Sequence, residues 1–211
     1  MRVVYLHGFA SSPQSGKASF LAAQYRALGV GFDAPDLNLP DFSTLTVTRM
    51  IEQTHQILTA AASPVTLIGS SLGGFVAVHA AATWPERVER LVLMAPALEF
   101  SSEGPGGPGG ADVAEWRRNG SLMVFHHSYG RMMPIHYGLY ADARRYDAAA
   151  VTLPMPVLVF QGRRDDAVDP ASVERWVRGR PNVTLHMLDD DHQLSGSRDF
   201  IWSALYQQIP R

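Results

Sequence analysis

Short apolar runs alternate along the chain with longer stretches in which apolar residues recur every three or four positions. The short runs are rich in Val, Ile and Leu, as is typical of buried parallel strands. They predict six strands, at residues 2–6, 30–34, 65–69, 90–95, 157–161 and 183–188. The longer stretches predict helices at residues 17–28, 43–62, 72–84, 170–178 and 195–209. This order predicts an α/β protein, a three-layer sandwich with a mostly parallel six-stranded sheet between helices.

The alternation of strands and helices stops between Ala97 and Pro154. Gly and Pro fill nearly every position from Glu103 to Gly110, which predicts a flexible loop because neither residue sustains a helix or a central strand. Residues 111–146, rich in Arg, His, Met and Tyr, are too many for a plain connection. We therefore expect one α/β domain over residues 1–211, with a partly helical cap or lid insertion at 97–154 over one end of the sheet.

Composition narrows the classes of function. The chain has 211 residues, of which 46% are hydrophobic, and a net charge of −2, which gives no basic surface for nucleic acid. It has no cysteine, so disulfides, thiolate metal sites and a cysteine nucleophile are excluded. Lys17 is the only lysine, which argues against Schiff-base chemistry. No apolar run reaches the length of a membrane span or signal peptide, so we expect a cytoplasmic protein.

The sequence Gly69-Ser70-Ser71-Leu72-Gly73 joins a predicted strand to a predicted helix. A Gly-x-Ser-x-Gly pattern in this context predicts a nucleophile elbow, a sharp turn that exposes a serine hydroxyl. Side chains at positions 69 and 73 would collide with neighbouring backbone, which explains the two glycines. Ser71 is therefore the candidate nucleophile, and the alternative is a glycine-rich turn that serves packing alone.

An elbow serine needs a base and an acid, which follow it in the order acid, then histidine. His192 follows the last predicted strand, and its alternative role is a solvated loop histidine. Asp165 and Asp166 follow the strand before it, and Asp169 comes shortly after them. Parallel strands end at one edge of a sheet, so these loops are expected to meet Ser71. The residues leave the acid open among the three, although Asp169 also fits the N-cap of a helix.

A pair of backbone N–H donors for the reacting oxygen is expected from Phe9 and Leu72. Phe9 belongs to the loop that begins with His7-Gly8 directly after the first strand, and Leu72 begins the elbow helix. Each such donor contributes about 3 kcal/mol in other acyl-transfer enzymes. His7 is expected to be structural, with a packing contact or a hydrogen bond beneath this loop, and its alternative role is contact with the substrate.

Other candidate sites fail on spacing. Ser15-Gly16-Lys17 resembles the end of a phosphate-binding loop, but Ser11 stands where glycine is needed and Ala18 where Ser or Thr is needed. The remaining histidines show no spacing typical of metal ligands. We expect no metal and no cofactor.

These motifs resemble those of the α/β-hydrolase superfamily over nearly the whole chain except residues 97–154. The start, residues 5–13 with Ser15-Gly16-Lys17-Ala18 soon after, is similar to the small bacterial esterases called YqiA-like. The resemblance implies a trimmed form of the fold, which begins at the strand corresponding to the superfamily's third.

The resemblance also implies roles for single residues. It makes Ser71 the nucleophile and His192 the base. It makes Asp165 the acid, because Gly162, Asp165 and Val168 match the family's Gly-x-x-Asp-x-x-Val pattern.

We therefore expect a carboxylesterase-type serine hydrolase that cleaves esters or thioesters of small to medium acyl groups through an acyl-enzyme. The alternatives are a serine peptidase of the same fold and a binding protein that keeps the fold without turnover. In the insertion, an apolar wall for the acyl group is offered by Met123, Phe125, Met132, Met133 and Tyr137. The alternative for such residues, favoured at any single position, is the core of the insertion itself.

Overall fold

The computed structural model describes residues 1–102 and 113–209. The loop predicted from Glu103 to Gly110 lies outside the described residues. The strands are β1 (Arg2–Leu6), β2 (Gly31–Asp33), β3 (Val65–Ser70), β4 (Val88–Met94), β5 (Ser121–His126), β6 (Arg131–His136), β7 (Val157–Gly162) and β8 (Val183–Leu188). The helices are α1 (Gly16–Ala27), α2 (Val47–Ala60), α3 (Leu72–Thr83), α4 (Val113–Asn119), α5 (Gly138–Ala143), α6 (Pro170–Val177) and α7 (Arg198–Tyr206).

Six of the strands form one parallel sheet in the order β2-β1-β3-β4-β7-β8. Successive side chains of a strand point to opposite faces, and each face buries a separate apolar core. Val3 and Tyr5 pack with α1 and α7 on one face, whereas Val4 and Leu6 pack with α2, α3 and α6 on the other. The predicted α/β sandwich with its parallel six-stranded sheet is confirmed.

The helix predicted over residues 43–62 is divided in two. A 3-10 turn at Phe42–Thr44 begins where the side chain of Asp41 accepts from the N–H of Ser43 at 3.0 Å. Leu45 is then extended, with φ −55° and ψ 139°. Thr46 starts α2 by accepting from the N–H of Arg49 at 3.2 Å. Two capping side chains five positions apart interrupt a helix that apolar spacing alone would run together.

The segment between β4 and β7 contains two short helices, α4 and α5, and an antiparallel hairpin of β5 and β6 that the sequence analysis did not predict. The indole of Trp116 anchors α4 to the hairpin by donating to the carbonyl of Ile135 at 3.0 Å. The hairpin turn is joined to the loop after β1, because the N–H of His127 donates to the carbonyl of Ala10 at 3.0 Å. This turn therefore lies beside the first loop of the sheet's carboxyl edge.

Candidate active site

A cavity of about 600 Å³ opens at the carboxyl ends of the parallel strands. The loops after β1, β3, β7 and β8 supply much of its wall. Four of the residues singled out from the sequence line it: Phe9, Ser71, Leu72 and His192. The fifth, Asp165, lies behind His192 with a fully buried side chain.

Ser71 occupies a strained turn between β3 and α3. Its φ of 53° and ψ of −120° lie in a region that residues with a side chain rarely adopt. The surrounding backbone holds this conformation: the N–H of Ser71 donates to Met94 at 3.0 Å, and its carbonyl accepts from Gly74 at 2.8 Å and from Ala97 at 3.1 Å. The turn therefore presents the hydroxyl to the cavity from a fixed backbone.

The glycines around Ser71 permit close backbone contact, as the pattern predicts. A Cβ on Gly69 would lie 2.7 Å from the Cα of Gly74, and one on Gly73 would collide with the carbonyl of Leu6. These distances are shorter than real side chains tolerate, so β1, β3 and α3 approach one another only without those atoms.

Asp165 and His192 form a close pair. The imidazole Nδ1 of His192 lies 2.9 Å and 3.0 Å from the two carboxylate oxygens of Asp165. A carboxylate only accepts, so Nδ1 carries the proton and the neutral ring keeps Nε2 as a free acceptor. The side chain of His192 remains 15% exposed, on the cavity side of the pair.

The carboxylate of Asp165 is held in its charged form. Burial raises its pKa, but the hydrogen bond and the charge interaction with His192, together with bonds from Val168 and Gln161, outweigh burial and leave the pKa below its ordinary value. The N–H of Val168 and the amide of Gln161 each donate to it at 2.8 Å. The N–H of Ala167 adds a third bond at 3.0 Å. Asp165 is thus a charged, fixed acceptor for the imidazole.

The two other candidates for the acid lie elsewhere. Asp166 is exposed on the cavity wall and bonds no histidine within the described residues. Asp169 caps α6, where its carboxylate accepts from the N–H of Ala171 at 3.0 Å. Of the three, only Asp165 contacts His192.

The expected donor pair also faces the cavity. Among the described residues, neither the N–H of Phe9 nor that of Leu72 has a backbone partner. Leu72 is the first residue of α3, where a helix N–H has no intrahelical acceptor. His7 donates from Nδ1 to the carbonyl of Gly8 at 2.9 Å, while its Nε2 accepts from the N–H of Leu37 at 3.0 Å. A trans peptide directs C=O and N–H to opposite sides, so His7 orients the N–H of Phe9.

Two features of the cavity were missed from the sequence. Lys17 was considered only for Schiff-base chemistry, yet its ammonium lies in the cavity wall and donates to the backbone carbonyl of His192 at 2.9 Å. His127 and Ser128 of the hairpin turn also line the cavity. The single lysine was visible in the composition, but its contact with His192 spans 175 positions and has no local signal.

The residues predicted to form an apolar wall for the acyl group are wrong, because they do not line the cavity. Met123, Phe125 and Met132 are about half exposed on the outer face of the hairpin, and none of the five predicted side chains lines the cavity. The apolar lining comes instead from Ala97, Phe100 and other residues close to the sheet. The hairpin alternates two faces, and its inner face packs on the body of the protein.

The described residues contain neither a metal-binding cluster nor a membrane-spanning helix. No cluster of three or more His, Asp or Glu side chains in residues 1–102 and 113–209 could hold a metal ion. Within the same residues, every helix is too short or too polar to cross a bilayer.

Comparison with known proteins places the chain in a family. A family model described as "Uncharacterised protein family (UPF0227)" matches residues 2–206. The chain belongs to this family. No curated protein matches this UPF0227 member.

Solved structures share the fold of this UPF0227 protein. Est1E from Butyrivibrio proteoclasticus with bound ferulic acid has a TM-score of 0.86 at 17% identity, over 98% of this chain and 86% of its own. Mouse alpha/beta hydrolase domain-containing protein 10 has 0.80 at 22%, over 99% and 89%. A monoacylglycerol lipase from Paleococcus ferrophilus has 0.75 at 17%, over 98% and 93%. The α/β-hydrolase fold that the sequence suggested is confirmed.

Proposed function

We propose that this protein is a serine hydrolase that cleaves carboxylic esters or thioesters of small to medium acyl groups. The observation that carries the proposal is the meeting of a strained Ser71 and the Asp165–His192 pair at one cavity. Backbone strain of this kind is typical of functional sites, and the histidine base at the same cavity gives Ser71 a chemical role. The name of one structural neighbour, a monoacylglycerol lipase, agrees with this chemistry.

Acylation begins when Ser71 Oγ attacks the carbonyl carbon and passes its proton to Nε2 of His192. Asp165 stabilises the imidazolium and keeps the ring in the tautomer that can accept this proton. The N–H groups of Phe9 and Leu72 donate to the negative oxygen of the tetrahedral intermediate. The imidazolium then gives its proton to the departing alcohol or thiol, which leaves an acyl-serine.

Deacylation repeats these steps with water. His192 Nε2 removes a proton from the water as its oxygen attacks the acyl carbon, and returns that proton to Ser71 Oγ as the acid leaves. The same residues serve both halves, so the reaction needs no cofactor.

The segment at residues 97–154 acts in this proposal as a cap. Its hairpin turn contributes His127 and Ser128 to the cavity and is fixed to Ala10 by a backbone bond. A cavity of about 600 Å³ with an apolar side at Ala97 and Phe100 is suited to short acyl chains.

Labelling with a fluorophosphonate probe tests the nucleophile. We expect the probe to label wild-type protein, with the adduct mapped by mass spectrometry to Ser71 and absent from Ser71→Ala. The same substitution should lower ester hydrolysis by about 10⁶-fold, the scale known for removal of a serine nucleophile. Ser63→Ala, an exposed serine in the turn before β3, is the matched control and should be labelled normally.

Hydrolysis of p-nitrophenyl esters from acetate to dodecanoate tests the substrate class. We expect rates to be highest for acetyl and butyryl esters and to fall with chain length. Cleavage of peptides with no hydrolysis of short esters would replace this proposal by a peptidase. Absence of both labelling and hydrolysis would replace it by a binding protein.

A further inference from the structure

The cavity extends beside Ser71 into a polar recess formed by Tyr5, Ser15, Lys17 and Ser70. Its floor is deep in the protein, since Tyr5 is 1%, Ser70 2% and Lys17 9% exposed. The hydroxyl of Tyr5 hydrogen-bonds with those of Ser70 and Ser15. The proposed ester chemistry uses none of these four side chains.

Lys17 is the cation of the recess, and its bonding within the described residues is incomplete. One of its three N–H bonds is used on the carbonyl of His192. No carboxylate lies within ion-pair distance of it in the described parts of the chain. The nearby carboxylate of Asp165 is already occupied by His192, Gln161 and two backbone N–H groups. In the described parts of the chain, two N–H bonds of this buried ammonium therefore have no acceptor.

A second positive group lies behind the recess. The guanidinium of Arg198 packs against Gly16, where a Cβ would approach its Nη2 to 2.9 Å. It has no ion pair within the described residues, and its Nε has no hydrogen-bond partner. Arg198 therefore adds a second positive group near Lys17, while the carboxylates of Asp165, Asp191 and Asp190 also act on Lys17.

Burial of an unpaired lysine is unfavourable, because lysine is almost never fully buried without a partner. Burial lowers the pKa of Lys17 to about 8, although Asp165 and Asp191 oppose the shift. Most molecules therefore keep this charge at pH 7. A charged group held at this expense beside a nucleophile indicates an anionic ligand.

We propose that the recess binds a carboxylate group of the substrate, so that the enzyme prefers esters carrying one. Lys17 donates one of its free N–H bonds to a carboxylate oxygen, and the hydroxyl cluster beside it supplies a second donor. The inference rests on the proposed function and names the substrate class for the same site.

The test compares esters with neutral amides of the same shape. Mono-p-nitrophenyl glutarate and p-nitrophenyl glutaramate place the group on the acyl side; 4-acetoxybenzoate and 4-acetoxybenzamide place it on the alcohol side. We expect wild-type kcat/KM to favour the carboxylate by about 10- to 100-fold in one pair, the range of a charge-assisted hydrogen bond. The pair that shows the preference identifies which half of the ester carries the carboxylate.

Variants assign the preference to Lys17. Lys17→Met and Lys17→Gln should reduce the ratio to near one, and Lys17→Arg should retain part of it. Arg26→Met, which removes an exposed charge from the same helix, should leave the ratio at its wild-type value. An equal ratio in wild type and both neutral variants, in both pairs of esters, would overturn the proposal. Both kcat/KM values of a pair are measured on the same variant, so their ratio does not change when that variant loses activity on all esters.

A binding measurement separates this inference from the proposed function. Calorimetric titration of Ser71→Ala with glutarate, or with 4-hydroxybenzoate where the alcohol-side pair shows the preference, should show binding that Lys17→Met weakens at least 10-fold. The neutral compounds glutaramide and 4-hydroxybenzamide should bind weakly to both. If wild type hydrolyses no ester but glutarate binds through Lys17, the hydrolase proposal fails and the recess stands. If esters are hydrolysed but neither glutarate nor 4-hydroxybenzoate binds through Lys17, the recess proposal is wrong.

Discussion

Replacement of Asp165 by Asn is the sharpest test of the catalytic assignment, because it exchanges one oxygen for an NH₂ in a fixed site. The backbone N–H groups of Ala167 and Val168 both donate to Oδ1. They hold the oxygen of Asn in that position, so the new NH₂ group faces His192. The imidazole Nδ1 must then accept instead of donate, its proton moves to Nε2, and Nε2 can no longer take the proton of Ser71.

The expected loss of activity in Asp165→Asn follows from this change of tautomer. The same substitution in a well-studied serine protease lowers kcat by about 10⁴-fold, or about 5 kcal/mol of barrier. The fold should survive, because the amide of Gln161 has an oxygen without a partner in the described residues and can turn it toward the new NH₂. We expect a loss of about 1 kcal/mol in the free energy of unfolding.

The assay is kcat for p-nitrophenyl butyrate, measured beside urea unfolding of each variant. Asp166→Asn is the matched control, since Asp166 is exposed and one position away. It should stay within about threefold of wild type because no hydrogen bond links it to His192. Similar small losses in both variants would refute the reasoning, and a large loss in Asp169→Asn alone would move the acid there.

Two further predictions concern stability. Gly69→Ala should lower the free energy of unfolding, measured with urea, by more than about 2 kcal/mol, because its Cβ would lie 2.7 Å from the Cα of Gly74. Gly31→Ala is the control: no described atom lies closer than 3.9 Å to its Cβ, so the free energy of unfolding should hardly change. Lys17→Met should be more stable than wild type at pH 7. The pKa of Lys17 falls from 10.5 in the unfolded chain to about 8 in the folded protein. The stability of the wild type should therefore rise as the pH increases between these values, whereas that of Lys17→Met should not. A parallel pH dependence of both proteins would contradict this prediction.

The fold was predictable from the sequence because its signals are local. Each buried strand carries its own apolar run, and each of the six predicted strands lies within two residues of an observed one. The break between residues 44 and 47 was missed because apolar spacing continues across it. The hairpin of β5 and β6 was missed because Met and Phe on its exposed face hide the alternation of polar and apolar residues that is typical of a strand.

The sequence predicted only those residues of the candidate site whose roles follow from their positions after successive strands. Elbow, acid and base each stand directly after a strand, and a parallel sheet brings such positions together. The choice of Asp165 over Asp166 depends on which carboxylate points inward, which the residues alone leave open. The contact of Lys17 with His192 depends on how α1 packs beside the last loop, and no pattern in the sequence records that packing.

Unfavourable features of the molecule are concentrated at one edge of the sheet. Ser71 has a strained backbone, and Lys17 is a buried ammonium with no counter-ion among the described residues. Each lowers stability where it stands, and each is held by neighbours packed on the two apolar cores. A protein selected for stability alone would replace Lys17 by an apolar residue. The expected gain in stability of Lys17→Met, together with its expected loss of carboxylate preference, would therefore separate a functional lysine from a structural one.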